Sequence, residues 1–158
     1  MTIDEIQKSE EIVLSKKQIK KMIPHRWHML LINEAQYSVS MSNIILSKKK
    51  INCWEIFMLG HFPGNKIFPG MLLVEMIAQS AGVLIKQKFP EIKAVPFFRE
   101  LSNCKFFKPV RVGDTLLIQT ELIQYRADKI YIFSGQITNQ FGEVVCKAET
   151  LKGFAAKI

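Results

Sequence analysis

The sequence predicts an α+β domain in two layers, one long helix against a curved antiparallel sheet. Three observations predict it. Residues 71–88 form the only long helical run, and its apolar positions surround most of the cylinder, so protein must cover both sides. The last third of the chain alternates in short segments parted by turn residues, the pattern of an antiparallel meander. The length, 158 residues with 48% apolar and 23% charged side chains, suits a single domain, 1–158, with a core of its own and no linker or repeat.

Taken in order, residues 1–14 read as a loosely ordered lead-in. Ser15 with Gln18 three residues on resembles a capping box, and a short helix follows to Met22 before Pro24 ends it. From Trp27 the chain reads as strand through residue 40, turns at Ser42-Asn43, and returns through IILSKKKI with only a partial period of two. GHFPGNKIFPG, with two Pro and three Gly in eleven residues, must be a loop. The long helix follows and closes at Phe89-Pro90. Strands are expected near 94–99, 102–107, 115–124, 129–138 and 143–152, with turns at Gly113-Asp114, Ala127-Asp128 and 139–142.

Composition narrows the function. Three scattered cysteines (Cys53, Cys104, Cys146) with no C-x-x-C pair argue against a disulfide framework and a structural zinc site, and point to a reducing compartment, the cytoplasm. The first residues carry acids and lack the apolar core of a secretory signal. The apolar run 67–85 has membrane-span length, but it holds Pro69-Gly70, Glu75, Gln79 and Ser80. A carboxylate at mid-bilayer costs about 2.5–3.5 kcal/mol, so a buried helix explains the run better. The net charge of +8 favours an acidic partner. Nucleic acid is set aside for want of a zinc-finger or RNP pattern.

Reactive side chains concentrate in one region. His61 stands in the Gly-Pro loop beside Phe62, Pro63 and Gly64. Gly70 opens the helix, and Glu75 follows within it. A base, an acid and unpaired helix N–H groups are what proton removal beside a carbonyl requires. Each has a plain structural reading as well, so these residues alone do not name a reaction. His25, His28 and His61 might suggest a metal triad, but no accompanying Asp or Glu pattern supports one, and no metal is expected.

Residues 60–82, G-H-F-P-G-N-x-x-x-P-G-M-L-L-V-E-M-I-A-Q-S-A-G, closely resemble the signature of the FabZ-type 3-hydroxyacyl-acyl-carrier-protein dehydratases. So do Ile23-Pro24-His25-Arg26 and the later F-x-x-P-V-x-x-G-D segment running from Phe106 to Asp114. The resemblance covers about residues 15–156. Glu75 favours the FabZ type over the FabA-type dehydratase-isomerases, which usually carry Asp there. The resemblance implies a hot-dog fold and a homodimer, often a trimer of dimers, with active sites at the interface: His from one chain, Glu from the other. It implies dehydration of a (3R)-3-hydroxyacyl thioester on acyl carrier protein, without cofactor. His61 would take the α-proton, Glu75 would protonate or orient the leaving hydroxyl, and the Gly70 amide would polarise the thioester carbonyl. Gln79, one turn beyond Glu75, would orient its carboxyl or satisfy a buried backbone group. A donor Glu75 must be protonated, which calls for an apolar pocket that raises its pKa.

Ile67, Phe68, Leu72 and Met76 are expected to line an acyl tunnel. Lys66, Arg99, Lys105, Lys108 and Arg111 are candidate contacts for the acidic carrier. The sequence departs from the family pattern at His28-Met29, Ile32-Asn33-Glu34, Leu59 and residues 98–103. These departures open a specialised pathway, polyketide, aryl-polyene or modified-lipid synthesis, beside fatty-acid elongation. A hot-dog thioesterase or isomerase, and an inactive acyl-carrier-binding subunit, are the alternatives.

Overall fold

A computed structural model of the chain describes residues 11–40, 42–126 and 130–156. Its elements are β1 (Glu11–Ser15), α1 (Lys16–Met22), β2 (Glu34–Ser38), β3 (Ile44–Lys50), α2 (Gly70–Lys88), β4 (Val95–Phe106), β5 (Thr115–Tyr125), β6 (Ile130–Thr138) and β7 (Val144–Ala156). Short 3-10 turns lie at Trp27–Met29 and Ile56–Leu59. The strands form one antiparallel sheet in the order β1-β2-β3-β5-β6-β7-β4. Helix α2 packs against β3, β4, β5, β6 and β7, the hot-dog arrangement.

Side-chain periodicity explains this. β6 alternates half-buried and buried residues over its whole length, sending Tyr131, Phe133, Gly135 and Ile137 inward. Val74, Met76, Ile77, Val83 and Leu84 of α2 are buried beneath the sheet. The approach is close at Gly135, where a Cβ would lie 2.3 Å from Ile77 Cγ2, so glycine is required. Ser15 caps α1 as expected, its amide donating to Gln18 Oε1 at 2.9 Å. No helix among the described residues is long and apolar enough to cross a membrane.

The structure departs from the sequence reading in four places. Residues 11–14, expected in a loose lead-in, belong to β1, which pairs with β2 and buries Leu14; residues 1–10 lie outside the described residues. The strand expected from Trp27 begins only at Glu34. Before it, Leu30, Leu31 and Ile32 are buried in succession, and the Leu31 amide is satisfied by the Gln79 side chain in place of a strand ladder. β3 alternates cleanly, but its inward set is Ile45, Ser47 and Lys49, and the polar pair hid the period. The two strands expected over 94–107 are one, β4, whose register slips at a bulge between Phe98 and Glu100. The expected turn at Ala127-Asp128 lies outside the described residues.

Candidate active site

The His61 loop is held by its own backbone. The Phe62 amide donates to the Asn65 carbonyl at 3.2 Å, Asn65 returns the bond at 3.0 Å, and the Ile67 amide donates to the His61 carbonyl at 2.9 Å. Gly64 turns the chain at φ +77°. The His61–Phe62 peptide is cis, and the Phe62 ring stacks on the imidazole with centroids 4.2 Å apart. His61 Nδ1 lies 2.8 Å from the Ile67 carbonyl oxygen. A carbonyl only accepts, so Nδ1 carries the proton and Nε2 keeps the free lone pair.

The imidazole stands on the wall of a cleft of about 290 Å³. Ile67, Phe68, Gly70 and Leu73 form one side of it, and Phe106 to Val110 the other. The two sides are tied where the Phe68 amide donates to the Val110 carbonyl at 2.8 Å. Gly70 is the first residue of α2, so its N–H belongs to the group a helix leaves without an internal partner. A Cβ there would come within 3.2 Å of the Phe106 ring. Glycine therefore lets the wall close over the helix end.

Glu75 is not on that wall. Leu73 is, and two residues further along α2 the side chain has swung about 200° round the axis. Within one chain the helix thus separates His61 from Glu75. The Glu75 carboxylate instead meets His25, its Oε1 lying 3.1 Å from Nε2, and accepts a bond from Gln79 Nε2 at 2.9 Å. Gln79 is buried and does both jobs weighed for it: it also donates to the Met29 carbonyl at 2.6 Å and accepts from the Leu31 amide at 3.0 Å. Burial pushes the Glu75 carboxyl up, but hydrogen bonds from His25 and Gln79 and the field of the His25 ring outweigh it, and the group titrates below its ordinary value. In the single chain Glu75 is a carboxylate, contrary to the raised value expected for a resting acid.

Of the expected tunnel residues, Ile67 and Phe68 line the cleft; Leu72 is half-buried against the core, and Met76 is fully buried within it. Lys66, Arg99, Lys105, Lys108 and Arg111 are all exposed. Lys108 lines the cleft and pairs with Glu143, and Arg111 donates to Asn65 Oδ1 at 2.8 Å, bracing the His61 loop. His25, His28 and His61 do not converge, and among the described residues no three potential metal ligands gather. The Cys146 thiol, pushed up to about 12 by burial and by neighbouring Cys104, is no nucleophile at neutral pH. Sequence reasoning missed the wall of Phe106 and Phe107 and the contact of His25. Their signals were the F-x-x-P-V and Ile-Pro-His-Arg strings.

A family model described as a FabA-like domain matches residues 23–149. The chain is 40% identical over 105 residues to a 3-hydroxyacyl-[acyl-carrier-protein] dehydratase FabZ of Fusobacterium nucleatum, covering 66% of this chain and 73% of that protein. It is 39% identical over 140 residues to the FabZ dehydratase of Caldicellulosiruptor saccharolyticus, covering 88% and 96%. Among solved structures it is similar to the dehydratase heterocomplex ApeI:P from Xenorhabdus doucetiae, with a TM-score of 0.72 at 20% identity over 88% of this chain and 91% of that one. A hypothetical thioesterase from Streptococcus pneumoniae, solved with coenzyme A, has a TM-score of 0.55 at 20% identity over 73% and 80%. At such identities the two structures speak for the fold alone.

Proposed function

The chain belongs to the FabA-like family and is a hydro-lyase of 3-hydroxyacyl thioesters, and from that premise we propose how its residues divide the reaction. The substrate is a (3R)-3-hydroxyacyl chain on acyl carrier protein and the product is the trans-2-enoyl thioester. His61 Nε2 takes the α-proton, the electron pair forms the Cα–Cβ double bond, and the β-hydroxyl leaves with a proton from Glu75 as water. The Gly70 N–H holds the thioester oxygen while charge gathers on it. Hydration is the reverse: the Glu75 carboxylate takes a proton from water and His61 returns one to Cα.

The observation that carries this reading is the bond from His61 Nδ1 to the Ile67 carbonyl, because it leaves a lone pair at Nε2 in a cleft shared with a helix N-terminus. The opposite placement of Glu75 on α2 supports a site completed by Glu75 of the partner subunit. β4 supports the homodimer: it is a twelve-residue edge strand with Phe97, Phe98 and Phe106 exposed. Assembly into a trimer of dimers is compatible with this pairing. An acyl chain entering beside Ile67, Phe68 and Phe106 excludes water, which penalises charge and draws Glu75 towards its protonated form. Lys66, Lys105 and the other exposed cations suit an acidic carrier, and the free thiols suit the cytoplasm. The departures at residues 98–103 fall in the middle of β4, around its bulge, and favour a specialised acyl chain.

The test incubates the purified protein with 3-hydroxyacyl and enoyl thioesters of several lengths on carrier protein, followed by mass. Interconversion by one water, abolished in His61→Ala, is the expected outcome. Release of free acid would make the protein a thioesterase.

A further inference from the structure

We infer that His25 is a positioning residue for this reaction: together with Gln79 it grips Glu75 by Oε1 alone and leaves Oε2 to meet the substrate hydroxyl. The inference rests on the dehydratase reading above and assigns a role in it to a side chain outside the His61 cleft. Both donors reach the same oxygen, His25 Nε2 at 3.1 Å and Gln79 Nε2 at 2.9 Å. Oε2 accepts no bond from the described residues, and the side chain keeps 27% of its surface open. With Oε1 occupied by two N–H groups, a proton arriving at the carboxyl must settle on Oε2, the atom a ligand can reach.

The segment that carries His25 is fastened independently of this contact. The Arg26 guanidinium donates to the carbonyls of Ile23, His25 and Lys20 at 2.8, 2.7 and 2.7 Å, and Gln79 ties down Met29 and Leu31. Ile23 packs so close to α2 that a Cβ on Gly82 would lie 3.2 Å from its methyl. The fold therefore does not need the imidazole as a bolt. Nor is the ring itself fully satisfied: Nδ1 is buried with no partner among the described residues. An N–H there would be stranded, so the proton sits on Nε2, aimed at Glu75. The charged and polar groups facing Glu75 are His25 from the loop after α1 and Gln79 from its own helix, while Arg26 is engaged by backbone carbonyls.

The experiment compares wild type, His25→Ala, His25→Gln (which keeps a donor near the position of Nε2), Glu75→Gln and the His25→Ala/Glu75→Gln double variant in steady-state dehydration, with a carbon-detected titration of the Glu75 carboxyl. In His25→Ala, kcat falls on the order of tenfold to a hundredfold, the cost of a misplaced reacting group, with KM little changed. The Glu75 titration moves upward. His25→Gln recovers most of both, and adding His25→Ala to Glu75→Gln costs nothing further. A His25→Ala enzyme with wild-type kcat, an unmoved Glu75 titration, or an equal loss in the Glu75→Gln background overturns the inference while leaving the dehydratase reading intact. A wild-type protein with no dehydration activity removes that reading and this inference with it.

Discussion

A backbone carbonyl six residues downstream decides which nitrogen of His61 is basic, and two side chains from other segments decide the state of Glu75. The second has a measurable consequence. The folded carboxyl titrates below the ordinary 4.5, so its stabilising contribution is complete above that value and is lost as pH falls through the lower, folded one. Thermal melts of wild type and Glu75→Gln should therefore differ most near neutrality and converge as the pH drops below 4.5. The Lys48-Lys49-Lys50 run yields a second residue-scale prediction. In the sequence it belongs to a strand with only a partial period of two, yet Lys49 is 4% exposed and lies 2.6 Å from Glu55. Glu55→Ala strands that ammonium and should cost about 3–5 kcal/mol, with much of it recovered in Glu55→Ala/Lys49→Met; urea titration measures both.

At the scale of elements, Gly135 sets how closely β6 lies on α2. Gly135→Ala should destabilise the protein by about 1–3 kcal/mol, and coupling it to Ile77→Ala should cost less than the sum of the two single changes, as read from denaturant midpoints. The same elements show what was legible in advance. α2 announces itself by a long apolar surface, α1 by Ser15 and Gln18, and β5 and β6 by alternation, because in each the local pattern and the final environment agree. Residues 29–31 are illegible in the sequence because the Met29 carbonyl and the Leu31 amide bond a glutamine side chain about fifty residues away. β4 looks like two strands in the sequence because a bulge interrupts its alternation without interrupting the strand. In the site, His61 stands out in a Gly-Pro loop, and Gly70 and Glu75 stand out as a permissive and a charged residue within an apolar run. His25 does not, because the imidazole meets its carboxylate only after α1 has folded back over α2.

For the whole molecule, the division of His61 and Glu75 between opposite sides of α2 predicts complementation. His61→Ala should be inactive alone, and Glu75→Gln should keep only a small residual turnover. Refolded together in equal amounts they should recover about a quarter of wild-type turnover, since random pairing into two-fold dimers leaves one intact site in each mixed pair. A site contained within one chain would recover none. Among the described residues the sheet has unequal ends, five residues at β1 and twelve at β4. Strands that stay open at both margins invite endless stacking of molecule on molecule. A homodimer joined through β4 would use up the longer described margin of each copy and leave β1 facing outward.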